Sequence, residues 1–120
     1  MVLPDHIHAV WRLPEGDTDY SRRWHLVKRE FSIRIGPVPI DPAIRLRSGE
    51  RGIWQRRFWE HLIRDDDDFA RHVDYCHINP MKHELVDRVK DWPYSTFHRA
   101  VMRGELSSDW AGTAGTEVGE

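Results

Sequence analysis

The chain is poor in several things, and each shortage excludes a class of protein. It has one cysteine, Cys76, in 120 residues, so an internal disulfide framework is excluded and a reducing compartment fits. No apolar run approaches the ~20 residues of a membrane-spanning helix, and no signal peptide is visible. There is no large excess of either charge: the net charge is −2, so the overall balance points to no partner. Internal repeats are absent as well. At this length the chain can make one domain, and an apolar fraction of 39% with six tryptophans supports a modest core.

Charge is distributed more informatively than its sum. Arg22, Arg23, Lys28, Arg29, Arg34, Arg45, Arg47, Arg51, Arg56, Arg57 and Arg64 all precede the acidic run Asp65–Asp68. Such a half can face phosphates, or it can be a set of solvated faces balanced elsewhere.

The most informative stretch is Arg71-His72-Val73-Asp74-Tyr75-Cys76-His77-Ile78-Asn79-Pro80. A helix starting near Asp66 or Asp67 takes an aspartate as N-cap and sets the other acids against the helix dipole. Phe69, Val73 and Cys76 then form an apolar stripe, with Tyr75 and Asn79 one turn apart on a neighbouring face and His72 one turn before Tyr75. Pro80 is expected to end or bend that helix.

Upstream, residues 1–13 alternate as a strand, with Ile7, Ala9 and Trp11 on one side and His6, His8 and Val10 on the other. Thr18 or Asp19 caps a helix with Tyr20, Trp24, Val27, Phe31 and Ile35 on one face. A loop rich in proline follows, then a second strand pattern from Ile53 to Ile63. After Pro80, Met81–Val86 can add a turn or two of helix. A last helix is expected over Tyr94–Met102, with Pro93 in its first turn, Phe97 and Val101 inward and Gly104 as its stop. Residues 1–108 are expected to form the domain and residues 109–120 a flexible tail.

Three groups can carry chemistry. On a strand His6 and His8 point to one side, about 6–7 Å apart, so they can hold a divalent ion if a third ligand arrives; an exposed pair is the ordinary alternative. Asp5 can orient one ring. A helical tyrosine is usually a core or interface residue, but Tyr75 lies off the apolar stripe, and the Asn79 carbonyl suits Mg²⁺ or Mn²⁺. His77 reads as a surface histidine. The run Trp54-Gln55-Arg56-Arg57-Phe58-Trp59-Glu60-His61 interleaves basic and aromatic groups, which can hold phosphates and stack bases, or can be a core strand whose arginines reach water.

Taken together, Leu3-Pro4-Asp5-His6-Ile7-His8, the Trp54–His61 run, Tyr75-Cys76-His77-Ile78-Asn79-Pro80-Met81-Lys82-His83 and Asp91-Trp92-Pro93-Tyr94-Ser95-Thr96-Phe97 resemble the REP-associated tyrosine transposases, a branch of the HUH single-tyrosine transposases. The resemblance runs in matching order from about Val2 to Trp110. It implies an α+β, ferredoxin-like fold, an antiparallel sheet with flanking helices. It implies a transposase-type enzyme, a metal-dependent endonuclease and strand transferase. Its substrate would be single-stranded DNA next to palindromic hairpins, cut through a covalent 5′-phosphotyrosine. In that reading Tyr75 is the nucleophile, and His6, His8 and Asn79 hold Mg²⁺ or Mn²⁺. Arg56, Arg57, Trp59, Arg71 and Lys82 grip DNA, and Asp5 and His72 assist. Partners are hairpin DNA and, where subunits pair, a second copy; no membrane is involved, and the setting is the bacterial cytoplasm at the nucleoid. Two departures stand out. Cys76 replaces a usual aliphatic residue, and the strand and helix that normally precede the His-x-His strand, roughly the first third of the domain, are expected to be lacking. The competing readings are a hairpin-binding remnant without activity and a structural metal domain. Binding that survives chelation without nicking marks the former, and loss of stability on chelation without DNA affinity marks the latter.

Overall fold

The structure, a computed structural model, describes residues 1–48, 50–55 and 58–112. The chain divides into two compact units, residues 1–11 with 61–120, and residues 12–60. Among the described residues the architecture is helical: α1 (Tyr20–Ile35), α2 (Asp66–Lys82), a 3-10 turn (Val89–Asp91) and α3 (Phe97–Met102). None of these helices is long and apolar enough to cross a membrane.

The expected antiparallel sheet is not there. One isolated antiparallel bridge, Val2 with Ile7, is the β-structure among the described residues. A strand becomes stable by giving its backbone groups to a neighbour. Here residues 1–8 fold back on themselves instead: Leu3 N–H donates to His6 O (2.9 Å), and His8 N–H donates to Met1 O (3.0 Å). The alternation from His6 to Trp11 therefore sets faces without making a ladder. The described residues of the second strand pattern, Ile53–Ile63, are irregular too. The ferredoxin-like reading is corrected accordingly.

In the unit of residues 12–60, α1 is capped by Asp19, whose carboxylate accepts from Arg22 N–H (3.1 Å). It stops at Gly36, whose φ of 71° is the left-handed conformation glycine adopts readily. The stripe expected along α1 finds aromatic partners. Tyr20 and Trp24 meet Phe58, and Phe31 sits edge-on to Trp54 at 5.4 Å. Lys28 Nζ lies 5.5–5.9 Å from the Trp24, Trp54 and Phe58 rings, and burial lowers its pKa.

In the other unit, α2 begins at an Asp65 cap, with its side chain accepting from Asp68 N–H (2.8 Å). Pro80 does not end it. The helix runs on to Lys82 and closes with a Schellman turn, Glu84 N–H to Met81 O and Leu85 N–H to Pro80 O. Its buried side also differs from the expected stripe. Phe69 is half exposed, whereas Asp68, Tyr75, His77, Asn79 and Pro80 are buried. His77 is no surface residue: its Nε2 lies 3.1 Å from Thr96 Oγ1, its ring packs near Phe97 and Trp110, and burial lowers its pKa. α3 starts three residues later than expected, with Phe97 fully buried at its head. Trp110, two residues into the segment expected as a tail, lies against Phe97 at 6.0 Å; residues 113–120 fall outside the described set.

Candidate active site

The N-terminal turn is fixed from outside. Val2 N–H donates to Tyr94 O (3.0 Å), and Trp92 Nε1–H donates to Val2 O (2.9 Å). Leu3 is buried. The Asp91–Phe97 block thus serves as an anchor for the segment that carries His6 and His8. The Met1 amino group also donates to His8 O (3.1 Å). The i, i+2 spacing does what alternation requires: the two rings meet edge to face with centroids 4.9 Å apart.

From the other side, α2 presents a strip at four-residue spacing: Tyr75, Asn79 and then His83, the C-cap residue. The Tyr75 ring packs edge-on against His8 at 5.4 Å, and His83 packs against His6 at 5.1 Å. Lys82 Nζ stands 4.8 Å over the Tyr75 ring. Three imidazoles, a phenol and an ammonium group meet in one place. Tyr75 is 5% exposed and Asn79 is fully buried. The Asn79 Nδ2–H donates to the Tyr75 carbonyl (3.1 Å), while Oδ1 is buried without a hydrogen-bond partner. Asp5 lies 2.5 Å from His6 Nδ1, and that hydrogen bond lowers its own pKa.

These features fit a divalent cation. A carboxylate on one ring nitrogen fixes the imidazole and leaves the other nitrogen for a metal. A buried amide oxygen lacking any donor is an acceptor in want of a positive partner. Two imidazoles and an amide oxygen suit Mn²⁺, or Mg²⁺ less closely. The Lys82 ammonium places a cation over the face of the Tyr75 ring.

Other expected residues lie elsewhere or cannot be placed. His72 stacks on His61 (4.2 Å, 14°) and meets Asp68, with Nδ1 3.1 Å from Oδ1. Arg71 is more than half exposed, 3.7 Å from Asp68. Trp59 belongs to the unit of residues 12–60 and is 53% exposed. Arg56 and Arg57 lie outside the described residues. His83 went unassigned in the sequence, although its spacing from Tyr75 and Asn79 already put it on their strip. Asp68 was hidden in a run of four like residues; seven positions before Tyr75, it shares that side of the helix.

No family model matches the chain. A REP-associated tyrosine transposase of Escherichia coli K12 is 49% identical over 112 residues, which are 93% of this chain and 60% of that protein. A Haemophilus influenzae protein described under the same family name is 47% identical over 119 residues, 98% of this chain and 67% of that protein. The chain belongs to the REP-associated tyrosine transposase family. A solved family structure, a REP-associated tyrosine transposase bound to a REP hairpin, superposes with a TM-score of 0.69 at 48% identity, covering 84% of this chain and 53% of that one. This family member therefore spans between half and two thirds of the relatives it matches.

Proposed function

We propose that the chain acts as a metal-dependent single-stranded DNA endonuclease and strand transferase beside palindromic hairpins, with Tyr75 as nucleophile. The observation that carries this reading is the packing of Tyr75 on His8, with His6 alongside and Lys82 over the phenol. Family membership supports the reaction class, and the hairpin in the related solved structure supports the substrate. Tyr75 meets His8 of its own chain, which favours use of the tyrosine in cis.

His6, His8 and the Asn79 oxygen would hold Mg²⁺ or Mn²⁺, which when bound neutralises charge on the scissile phosphate. Asp5 keeps the His6 ring oriented. The Tyr75 oxygen attacks phosphorus in line, the bond to the 3′ oxygen breaks, and a 5′-phosphotyrosine forms with release of a 3′-hydroxyl. A free phenol loses its proton near pH 10, so the reaction needs the phenolate favoured, and Lys82 supplies a cation at the ring. The phosphodiester energy stays in the tyrosyl ester, so another 3′-hydroxyl can reverse the step and join a new strand. Arg71 and Lys82 offer cations for flanking phosphates, and Arg56, Arg57 and Trp59 remain proposed DNA contacts.

A suicide oligonucleotide carrying a hairpin, incubated with the chain and Mn²⁺, is expected to leave a covalent protein–DNA adduct, and Tyr75→Phe is expected to abolish it. An adduct formed by the Phe variant sinks the nucleophile assignment. Hairpin binding that survives EDTA with no adduct assigns the chain as a binding remnant instead.

A further inference from the structure

A second group of ligating side chains lies at the start of α2, apart from His6 and His8. Asp68 is 3% exposed at its side chain, and its Oδ2 lies 2.8 Å from His61 Nε2 and accepts from Arg64 N–H (3.0 Å). Its Oδ1 lies 3.1 Å from His72 Nδ1. The two imidazoles stack almost parallel with centroids 4.2 Å apart, so an ion held in the plane of both rings requires one ring to turn out of the stack. One atom from each residue falls within 4.8 Å of the others.

We propose that His61, Asp68 and His72 form a second divalent-cation site, one selective for a borderline ion such as Zn²⁺. Ligand atoms around a tetrahedral ion with bonds of about 2.0–2.2 Å stand roughly 3.3–3.6 Å apart; His61 Nε2 lies 2.8 Å from Oδ2 and His72 Nδ1 3.1 Å from Oδ1, so the three groups would open slightly to admit the ion. The donor set is two imidazoles and one carboxylate, which would leave the fourth position of a tetrahedral ion for water. Asp65 caps α2 and Asp68 reaches back to Arg64 N–H in the manner of a capping box, but that accounts for the backbone bond and not for two imidazoles on the same carboxylate. The competing occupants are protons: each ring can donate to Asp68 or, for His72, to the Asp68 carbonyl at 2.8 Å. Binding needs no change of oxidation state. Each neutral ring carries its single proton on the other nitrogen, and the carboxylate gives up its hydrogen bonds to the rings. Arg64 and Arg71 approach Asp68 only at 3.8 and 3.7 Å, and with side chains 73% and 54% exposed they can turn to water. The consequence is mechanical. Residues 61–64 would be tied to the first two turns of the helix that carries Tyr75, independently of the proposed reaction at that tyrosine.

The test uses the whole 120-residue chain with His6→Ala and His8→Ala, so the first proposed site is gone. After treatment with EDTA and dialysis, Zn²⁺ alone is titrated by calorimetry, and Co²⁺ alone is followed by its d–d absorption. One equivalent of each is expected, with a rise in melting temperature. Adding His72→Gln is expected to weaken binding by more than about tenfold. His72→Gln is preferred over a change at Asp68, whose loss also releases the start of the helix; circular dichroism checks that the variant folds. Absence of binding in the His6/His8 double variant, or equal affinity with and without His72→Gln, overturns the proposal.

Discussion

The Asn79 amide is enclosed at 0% exposure, gives an N–H to the Tyr75 carbonyl and leaves Oδ1 with no donor. An orphaned buried polar atom costs about 1–3 kcal/mol, so the residue is poorly chosen for stability, which supports its proposed role as a ligand. Asn79→Leu, of similar volume, is accordingly expected to leave the metal-free chain as stable as before or about 1 kcal/mol more stable in urea, while Mn²⁺-dependent adduct formation disappears. A destabilised variant that still forms the adduct contradicts both halves. Asp68 supplies a prediction in pH. Its hydrogen bond with His61, first among several causes, pulls its pKa from 3.8 to about 2. Because the folded value is the lower one, Asp68 adds stability above about pH 4, and that contribution fades as pH falls toward 2. In EDTA, the difference in melting temperature between the chain and Asp68→Asn should be level above pH 4 and shrink below it. A difference independent of pH across that window removes the ionised Asp68 from the account.

Among elements, α2 was the most legible in the sequence and α3 partly so. The cap, the acidic first turn and the four-residue spacing of Tyr75 and Asn79 are local features, and the structure keeps them. The side of α2 that faces inward was not local information. Phe69 looks like core, yet His77 and Asn79 are buried, because what covers a helix is decided by Trp110, Phe97 and Thr96 from elsewhere in the chain. The sheet failed for a related reason: alternation tells which residues share a face, but a strand also needs a partner, and Leu3 finds His6 three residues away in the same turn. The His6–His8 pairing survives that failure, since it needs only extended backbone over three residues. At the end of α2 the closing turn puts Glu84 at φ 58°, a conformation disfavoured for side chains other than glycine. Glu84→Gly should therefore raise stability by up to ~1 kcal/mol, read as a higher urea midpoint at unchanged slope. A lower midpoint means that the glutamate side chain contributes more than its backbone strain removes.

Taken as a whole, the molecule buries little. Leu3, Tyr75, Val89, Phe97 and Ala100 make up the buried hydrophobic core among the described residues, while Leu62 and Met102 stand 85% and 87% exposed. Burial of apolar surface is the main favourable term in folding, so a ligand that binds only the folded chain is expected to raise its stability measurably. The proposed function names that ligand. A hairpin with a single-stranded flank, present at about a hundred times its dissociation constant, adds roughly 2.7 kcal/mol by mass action alone. For a domain of this size that amounts to a rise on the order of 10 °C in melting temperature. The rise should shrink steeply with added salt, since phosphate contacts release counterions. Tyr75→Phe should keep it, because the phenol oxygen is proposed for the chemical step alone and its loss leaves the cations in place. Differential scanning fluorimetry with the hairpin and with an unstructured strand of equal length and composition separates the outcomes. A larger shift with the hairpin supports recognition of folded DNA, equal shifts reduce the interaction to general attraction for phosphate, and no shift removes DNA as the partner.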